Sequence, residues 1–323
     1  MLKRISCIVL CTVFVSGIFV QQVTAMEDFP DAEAGIIADA ELGSKAELPA
    51  EETAEEAAEE SSGEVEEADV QDPEQETVEP VLSGILVDGV LVEDAAPSVY
   101  EQTTYVSLRS VSLALRPDAV ITWEGDHAAV NAEGLSISVY PDRCYLIAND
   151  RYLYLPYGVR VENGSVLVPV RTLAQAIDAQ VEWDAATGNT NLRTGSGAIL
   201  AGNLHYDANA LYLLSHIIHA ESGNQPLRGK IAVGNVILNR VKSPLFPNTI
   251  YEVIYQKNQF SPAKNGSIDR TPNEESVIAA KLCLDGAVVL PTALWFNRAG
   301  LNCWASRNKS CIATIGSHAF YAE

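Results

Sequence analysis

The strongest constraint on this chain is an internal repeat. Thr104-Tyr105-Val106-Ser107-Leu108-Arg109-Ser110-Val111 returns 62 residues later as Val166-Leu167-Val168-Pro169-Val170-Arg171-Thr172-Leu173. Leu115 and the run Val120-Ile121-Thr122-Trp123-Glu124 correspond to Ile177 and Val181-Glu182-Trp183-Asp184, and Asp88 and Asp150 keep the same offset. Each copy reads as a strand, a short helix (109–115 and 171–177) and a second strand ending on Trp-acid. Between the copies, Leu135-Ser136-Ile137-Ser138-Val139 alternates with the two-residue period of a half-buried strand. Two copies of such a unit predict an α+β region over 81–195. Trp123 and Trp183 are read as core residues under strand ends rather than as platforms for sugars.

Charge divides the chain before this region begins. Residues 26–80 hold 21 acids against the single base Lys45, whereas the rest of the chain carries 22 acids and 20 bases. The like charges repel, and the segment has too little apolar surface to offset the entropy of ordering, so a disordered acidic linker is expected. The net charge of −22 is therefore a property of one segment. No basic patch is left to neutralise phosphates, which argues against nucleic acid as a partner.

Met1–Arg4 is basic, 5–20 is largely apolar, and Val23-Thr24-Ala25 fits a small-residue cleavage site. The apolar run falls short of the ~20 residues that span a bilayer, so residues 1–25 are expected to be a cleaved signal peptide and the protein secreted, extracellular or in the envelope, with no stable membrane span. Four cysteines would remain: Cys144, Cys283, Cys303 and Cys311. In an exported protein Cys303 and Cys311 suit an oxidised pair, and buried free thiols are the alternative. Their spacing carries no zinc signature.

Beyond a short linker at Thr194–Gly197, two amphipathic helices fill Leu211–Ser243. Leu211, Leu214, Ile217 and Ile218 recur at helical spacing, and Ser222, Gly223, Asn224 and Pro226 stop the first helix. Ile231, Val233, Val236, Ile237, Leu238 and Val241 mark the second, near 227–242. Glu221 sits where the apolar face meets the turn, a half-desolvated place that raises a carboxyl group's affinity for its proton; a solvated residue at a helix end is the plainer alternative. A short helix follows with Ile250, Val253 and Ile254 inward. Gln259-Phe260-Ser261-Pro262 and Asn265-Gly266 form a loop, and a helix begins with Thr271 as its N-cap and runs to Asp285. Short strands are expected at 294–297 and 312–315.

His216, His219 and Glu221 do not make a metal site by spacing, because a zinc helix sets two histidines four apart with the glutamate between them. No cofactor is implied. Nor does a Gly-x-Ser-x-Gly elbow or a comparable cysteine context mark a nucleophile.

The repeat resembles the copper amine oxidase N-terminal-like domain of exported bacterial proteins, with Ser107 in place of the usual proline and Arg116-Pro117-Asp118 before the first copy's closing strand. The resemblance implies a non-catalytic accessory module, without copper chemistry and with its ligand unknown. From Leu211 onward the chain resembles the SleB/CwlJ family of bacterial cell wall hydrolases. The motifs are Ala220-Glu221 with Gly223 and Pro226; GKIAVGNVILNRV over 229–241; Phe246-Pro247-Asn248-Thr249-Ile250; Gln259-Phe260; Thr271-Pro272-Asn273-Glu274; Phe296-Asn297; and Ile315–Tyr321. Arg298 departs from the proline common after Phe-Asn, and the loop 301–311 is particular to this sequence. This resemblance implies a mostly helical, lysozyme-like catalytic domain over 207–323, acting on peptidoglycan glycan strands with Glu221 as its catalytic acid.

Two-carboxylate glycosidases need a second acid about 5–10 Å away, and Glu252, Asp269 and Glu275 all read as surface residues. A lytic transglycosylase needs only one: Glu221 donates a proton and then takes one back, leaving a 1,6-anhydro product. In the groove, Gln259 and Asn297 are assigned to acetamido groups, and Phe260 and Tyr321 to sugar faces. His318 either orients Glu221 or stabilises the C-terminal turn, and core packing stays open for Phe260 and Phe296. A hydrolytic muramidase or glucosaminidase and an amidase are the enzymatic alternatives. A non-catalytic wall-binding protein is the alternative from another class.

Overall fold

The computed structural model describes residues 84–323. The leader, the acidic segment and residues 81–83 lie outside the described residues, as do Cys7 and Cys11. Helices and sheets are segregated in an α+β arrangement. No helix among the described residues is long and apolar enough to cross a membrane.

The first region runs β1 (Gly84–Val87), β2 (Val90–Leu91), β3 (Ser98–Tyr100), β4 (Thr103–Ser107), α1 (Leu108–Leu115), β5 (Val120–Glu124), β6 (His127–Ala132) and β7 (Leu135–Val139). It continues with β8 (Tyr145–Ala148), β9 (Arg151–Tyr154), β10 (Arg160–Glu162), β11 (Ser165–Pro169), α2 (Val170–Ala176), β12 (Gln180–Asp184) and β13 (Asn189–Arg193). The equivalent strands β4 and β11 pair antiparallel with Val106 opposite Val168, so the local two-fold of the repeat passes through that pair. The copies are interleaved. β1 and β2 from the first copy extend the sheet of β12 and β13, while β8 and β9 from the second join β5 and β6 through β7. Each copy's opening hairpin therefore completes the other's sheet.

One apolar core lies between these layers, including Ile85, Val111, Leu115, Ile137, Leu146, Leu173, Ile177 and Leu192. Leu135, Ile137 and Val139 point inward along β7. Asp88 and Asp150 occupy equivalent turns with left-handed backbone, φ 48° and 65°, a region Asp tolerates better than most residues. The expected core tryptophans are a correction: Trp123 is 57% exposed and Trp183 41%. Ile121 and Val181, two residues earlier on the same faces, fill the core rim, and the strands outrun the core by the time they reach the indoles.

The segment expected to be a short linker is pinned to the repeat region. Asp88 accepts from the Thr194 amide and hydroxyl at 3.1 and 2.6 Å. Asp178 accepts from those of Ser196 at 3.1 and 2.6 Å, and the Ile199 amide bonds the Ala176 carbonyl.

The second region comprises α3 (Gly202–His205), α4 (Ala208–Ser222), α5 (Leu227–Lys242), α6 (Ile250–Tyr255), α7 (Ser261–Asn265), a 3-10 turn at Ser267–Asp269 and α8 (Glu274–Leu284). β14 (Trp295–Arg298), α9 (Trp304–Asn308), β15 (Ser310–Ile315) and β16 (His318–Ala322) complete it. α4, α5 and α8 share a core including Leu214, Ile217, Ile218, Ile231, Val236, Ile237, Ala279 and Leu282. Gly234 is needed where they meet, since a Cβ there would lie 2.6 Å from Cys283 Sγ and 3.1 Å from Ile218. The three strands pair in the order β14-β16-β15.

Two local expectations change. The 259–266 loop contains α7, whose first turn accommodates Pro262 and which ends at Gly266 with φ 79°. The N-cap of α8 is Asn273, not Thr271: its Oδ1 accepts from the Ser276 amide at 3.0 Å while its Nδ2 donates to the Gly223 carbonyl at 3.0 Å. The bond to Gly223 draws the cap two residues later than the Thr-Pro spacing predicts.

The two regions meet at the end of α8. Asp285, its side chain 1% exposed, accepts from Arg151 Nε at 2.8 Å and from the Tyr206 hydroxyl, with His205 Nε2 3.4 Å away. Tyr145, Tyr152 and Tyr154 of β8 and β9 pack on the core of the second region.

Candidate active site

Glu221 is the penultimate residue of α4, one turn beyond Ile217 and Ile218, both fully buried. Burial raises its carboxyl to about 7, and the charge of Arg240 pulls the other way. No carboxylate among the described residues adds to the rise. The position reinforces the effect, because a helix C-terminus carries partial negative charge and disfavours an ionised acid.

The turn after Glu221 is held from three sides. Asn273 bonds the Gly223 carbonyl, and its own amide donates to His219 Nδ1 at 3.3 Å. Lys230, only 1% exposed, donates to the Gln225 carbonyl and to Glu275. Gln225 Oε1 accepts from the Ser317 amide at 2.8 Å, tying the turn to the β15–β16 connection. Within the helix, Ser222 Oγ donates to the Ile218 carbonyl at 2.7 Å. These bonds fix the C-terminal turn of α4, which carries Glu221.

The histidines of α4 have separate engagements. His216 Nδ1 donates to the Ile268 carbonyl at 2.7 Å, and its ring lies 4.0 Å from that of Tyr212. His219 takes the Asn273 amide. No cluster of His, Cys, Asp and Glu able to hold a metal ion lies among the described residues.

Sequence reasoning missed Arg240. It is 4% exposed, donating from Nε to the Leu294 carbonyl at 2.7 Å and from Nη1 to Gln259 Oε1 at 2.9 Å. Its guanidinium lies over the rings of Phe246 (4.7 Å) and Phe260 (5.4 Å). Burial lowers Arg240 to about 10, opposed by the charge of Glu221, so it stays charged at neutral pH. The signal was in the spacing: Arg240 follows Val236 by four and Ile237 by three, on the buried face. Lys230, three before Val233, carried the same signal.

Arg240 joins Gln259 to the residue before β14. The Leu294 amide donates to the Tyr321 carbonyl at 2.9 Å, and β14 pairs with β16, placing Asn297 opposite Ala319 and Arg298 opposite His318. Asn297 and Tyr321 are both buried, the Tyr321 hydroxyl donating to Asn297 Oδ1 at 3.4 Å. The Asn297 Nδ2 donates to Cys303 Sγ. All four described cysteines are free thiols, so Cys303 and Cys311 are not paired here. His318 is half-buried against Phe296 and Phe320, with burial lowering its pKa and its Nδ1 lacking a partner. Phe260 is buried between Arg240 and Phe296, 6.4 Å ring to ring; its face supports the guanidinium rather than opening to solvent.

Comparison with known proteins supplies a second line. Residues 224–321 match the family model described as Cell Wall Hydrolase, and residues 86–192 match the Copper amine oxidase N-terminal domain. The chain is 36% identical over 91 residues to a spore cortex-lytic enzyme of Bacillus cereus, covering 28% of this chain and 35% of that protein. It is 29% identical over 144 residues to the spore cortex-lytic enzyme of Oceanobacillus iheyensis, covering 44% and 52%. The chain thus spans between a third and about half the length of these curated relatives. Among solved structures, the catalytic domain of the germination-specific lytic transglycosylase SleB from Bacillus anthracis is 33% identical, with coverage of 36% of this chain and 96% of that one and a TM-score of 0.33.

Proposed function

With a cell wall hydrolase domain at its C-terminus and a copper amine oxidase N-terminal-like domain before it as the premise, we propose that this protein cleaves peptidoglycan glycan strands as a lytic transglycosylase. One observation carries the reading: burial at the end of α4 raises the Glu221 carboxyl to about 7, against the opposing charge of Arg240. An acid held near neutral can donate and accept protons at the same pH, which a one-residue mechanism requires. Protonated Glu221 gives its proton to the oxygen joining N-acetylmuramic acid to N-acetylglucosamine. The bond from muramic C1 to that oxygen breaks, and the C6 hydroxyl of the same muramic residue closes on C1. Glu221 takes the hydroxyl proton, regenerating the acid and leaving a 1,6-anhydro ring.

Gln259, fixed by Arg240, presents its amide Nε2 to an acceptor such as an acetamido carbonyl. Asn297 and Tyr321, buried and bonded to one another on β14 and β16, act by supporting the groove, as does Phe260, buried behind Arg240. His318 is the half-buried polar group on that side. The protein reaches the wall by way of its N-terminal leader, and the repeat region serves as a non-catalytic module. The relatives' names point to spore cortex as the form of wall attacked.

Mass spectrometry of the soluble fragments released from purified sacculi tests this reading. Anhydro-muropeptides are expected. New reducing ends would replace it with a hydrolytic muramidase or glucosaminidase, and free stem peptides with an amidase. Equal turnover by wild type and Glu221→Gln would remove the catalytic assignment.

A further inference from the structure

The mechanism leaves one paired motif of the repeat region unused: Trp123-Glu124 and its counterpart Trp183-Asp184. Copy one holds two more residues than copy two between its arginine, Arg109 or Arg171, and its tryptophan. Both strands nevertheless end on an exposed indole followed by an acid. β5 and β12 are edge strands, of the sheets β5-β6-β7-β8-β9 and β12-β13-β1-β2. The helical region covers the far edge of the first sheet, where α8 packs on β9, four strand spacings or about 19 Å from β5. Small residues stand opposite both indoles, Ala128 across from Trp123 and Thr190 across from Trp183. Trp123 Nε1 donates to the Gly125 carbonyl at 2.9 Å, which ties the indole to the β5–β6 turn. With its one donor satisfied, Trp123 has only ring surface to offer a partner.

The surroundings select the ligand. Thr122, Glu124 and Asp126 are exposed beside Trp123, and Glu182 and Thr187 beside Trp183. Carboxylates at both rims repel phosphate polymers and anionic lipid. Val120, the other exposed apolar residue of β5, stands three positions from Trp123 and so points to the opposite face. That leaves no contiguous apolar patch on β5 for a protein partner. A neutral pyranose suits both features, laying its C–H face on the indole while hydroxyl and acetamido N–H groups donate to the carboxylates. We propose that Trp123 and Trp183 are two equivalent stacking platforms for the N-acetylated sugars of wall glycan, by which the repeat region grips the polymer that the hydrolase domain cuts. The inference rests on wall glycan being the substrate, and not on the assignment of Glu221. The local two-fold through Val106 and Val168 makes the platforms two separate sites. On a polymer of repeating sugars, two linked weak sites bind far more tightly than one.

Co-sedimentation of the full chain with purified sacculi tests this, on ice and in the Glu221→Gln background so that the polymer stays intact. Trp123→Ala and Trp183→Ala should each weaken association by roughly three- to tenfold, the value of one aromatic contact, and the double variant by more than either. Thermal unfolding is the fold control. Phe variants at both positions should retain most of the binding, since a ring face remains, whereas Leu variants, equally apolar, should bind as weakly as Ala. With Glu221 intact, the double Ala variant should release fragments from sacculi more slowly while cleaving short soluble glycan fragments at the wild-type rate. Unchanged co-sedimentation of the double variant overturns the proposal, and so does full binding by the Leu variants. If the Ala variants fail to fold, the comparison of Phe with Leu decides alone. A fall in self-association by sedimentation velocity, with sacculus binding unmoved, would show an interface between copies of this chain and likewise overturns it. Failure of the wall-glycan reading looks different: wild type would then release no glycan-cleaved fragments from sacculi, whatever the tryptophan variants bind.

Discussion

The repeat region buries Ile85, Val106, Leu146, Leu173 and their neighbours with little polar company: Ser107, Ser112 and Thr190, plus Arg151. The helical region buries Ser215, Ser222, Asn235, Ser276 and Asn297, and two cations, Lys230 and Arg240. Even Arg151 spends its charge on Asp285 of the helical region. Every buried cation among the described residues thus contacts the same half of the molecule. Symmetry explains the first pattern, since two interleaved copies about the Val106–Val168 pair close a core by shape and apolar area alone. The second pattern follows from what its polar groups hold: Asn235 accepts from the amides of Val289 and Leu290 and donates to the Ala287 carbonyl, Lys230 holds the turn after Glu221, and Arg240 holds Gln259. Of these buried groups, Lys230 fixes the turn that follows Glu221, and Arg240 carries the charge that opposes the rise of its carboxyl.

Substitutions can break this contrast, beginning with the largest effect. Glu221→Gln should reduce turnover by about 10²–10⁴-fold, the range lost with a general acid. Its stability should also respond to pH with a definite sign. A carboxyl raised from 4.5 to about 7 in the folded state costs nothing at pH 4, where it is protonated in both states, and destabilises the fold increasingly as pH rises through that window. The Gln variant should therefore melt above wild type at pH 8 and level with it at pH 4, read by calorimetry.

Asp285→Ala strands buried Arg151 and should lower unfolding stability by about 3 kcal/mol in a urea titration; no loss would mean that the Arg151–Asp285 pair does not hold the two regions together. Lys230→Met keeps the apolar stem and removes two hydrogen bonds, and Glu275 is exposed enough to stay solvated. A loss of about 1–2 kcal/mol is expected, together with reduced turnover as the turn after Glu221 loosens. Trp123→Ala and Trp183→Ala should change stability by no more than about 0.5 kcal/mol each, as exposed positions do. Losses of about 3–5 kcal/mol, typical of buried tryptophan, would contradict the exposure seen here.

The sequence was most informative where one period dominates. The 62-residue offset located both copies, and the spacing of Leu214, Ile217 and Ile218 located α4 with Glu221 at its end. It said less where a residue's partner is remote. Asn273 caps α8 because Gly223, fifty residues earlier, binds its other side, and no local pattern near Thr271 contains that. Trp123 looked buried because a strand of apolar residues led up to it, and the sequence does not show where the core stops beneath a strand. Arg240 and Lys230 lay on the correct helical face but belong to residue types that almost always reach solvent, so their spacing was outweighed by their chemistry. Of the expected groove residues, Asn297, Tyr321 and His318 fall on the paired strands β14 and β16. Gln259 lies in the α6–α7 loop bonded to Arg240, and Phe260 is buried beside that guanidinium.

The central claim is that the environment of Glu221 holds its proton near neutral pH. Titration of carboxyl carbon resonances by NMR in glutamate-labelled protein, with Glu221→Gln identifying the signal, measures this directly. A midpoint close to 7 for the resonance missing from the variant is the predicted result. A midpoint near 4.5, the value of an ordinary solvated glutamate, would contradict it and leave the one-carboxyl mechanism without its acid.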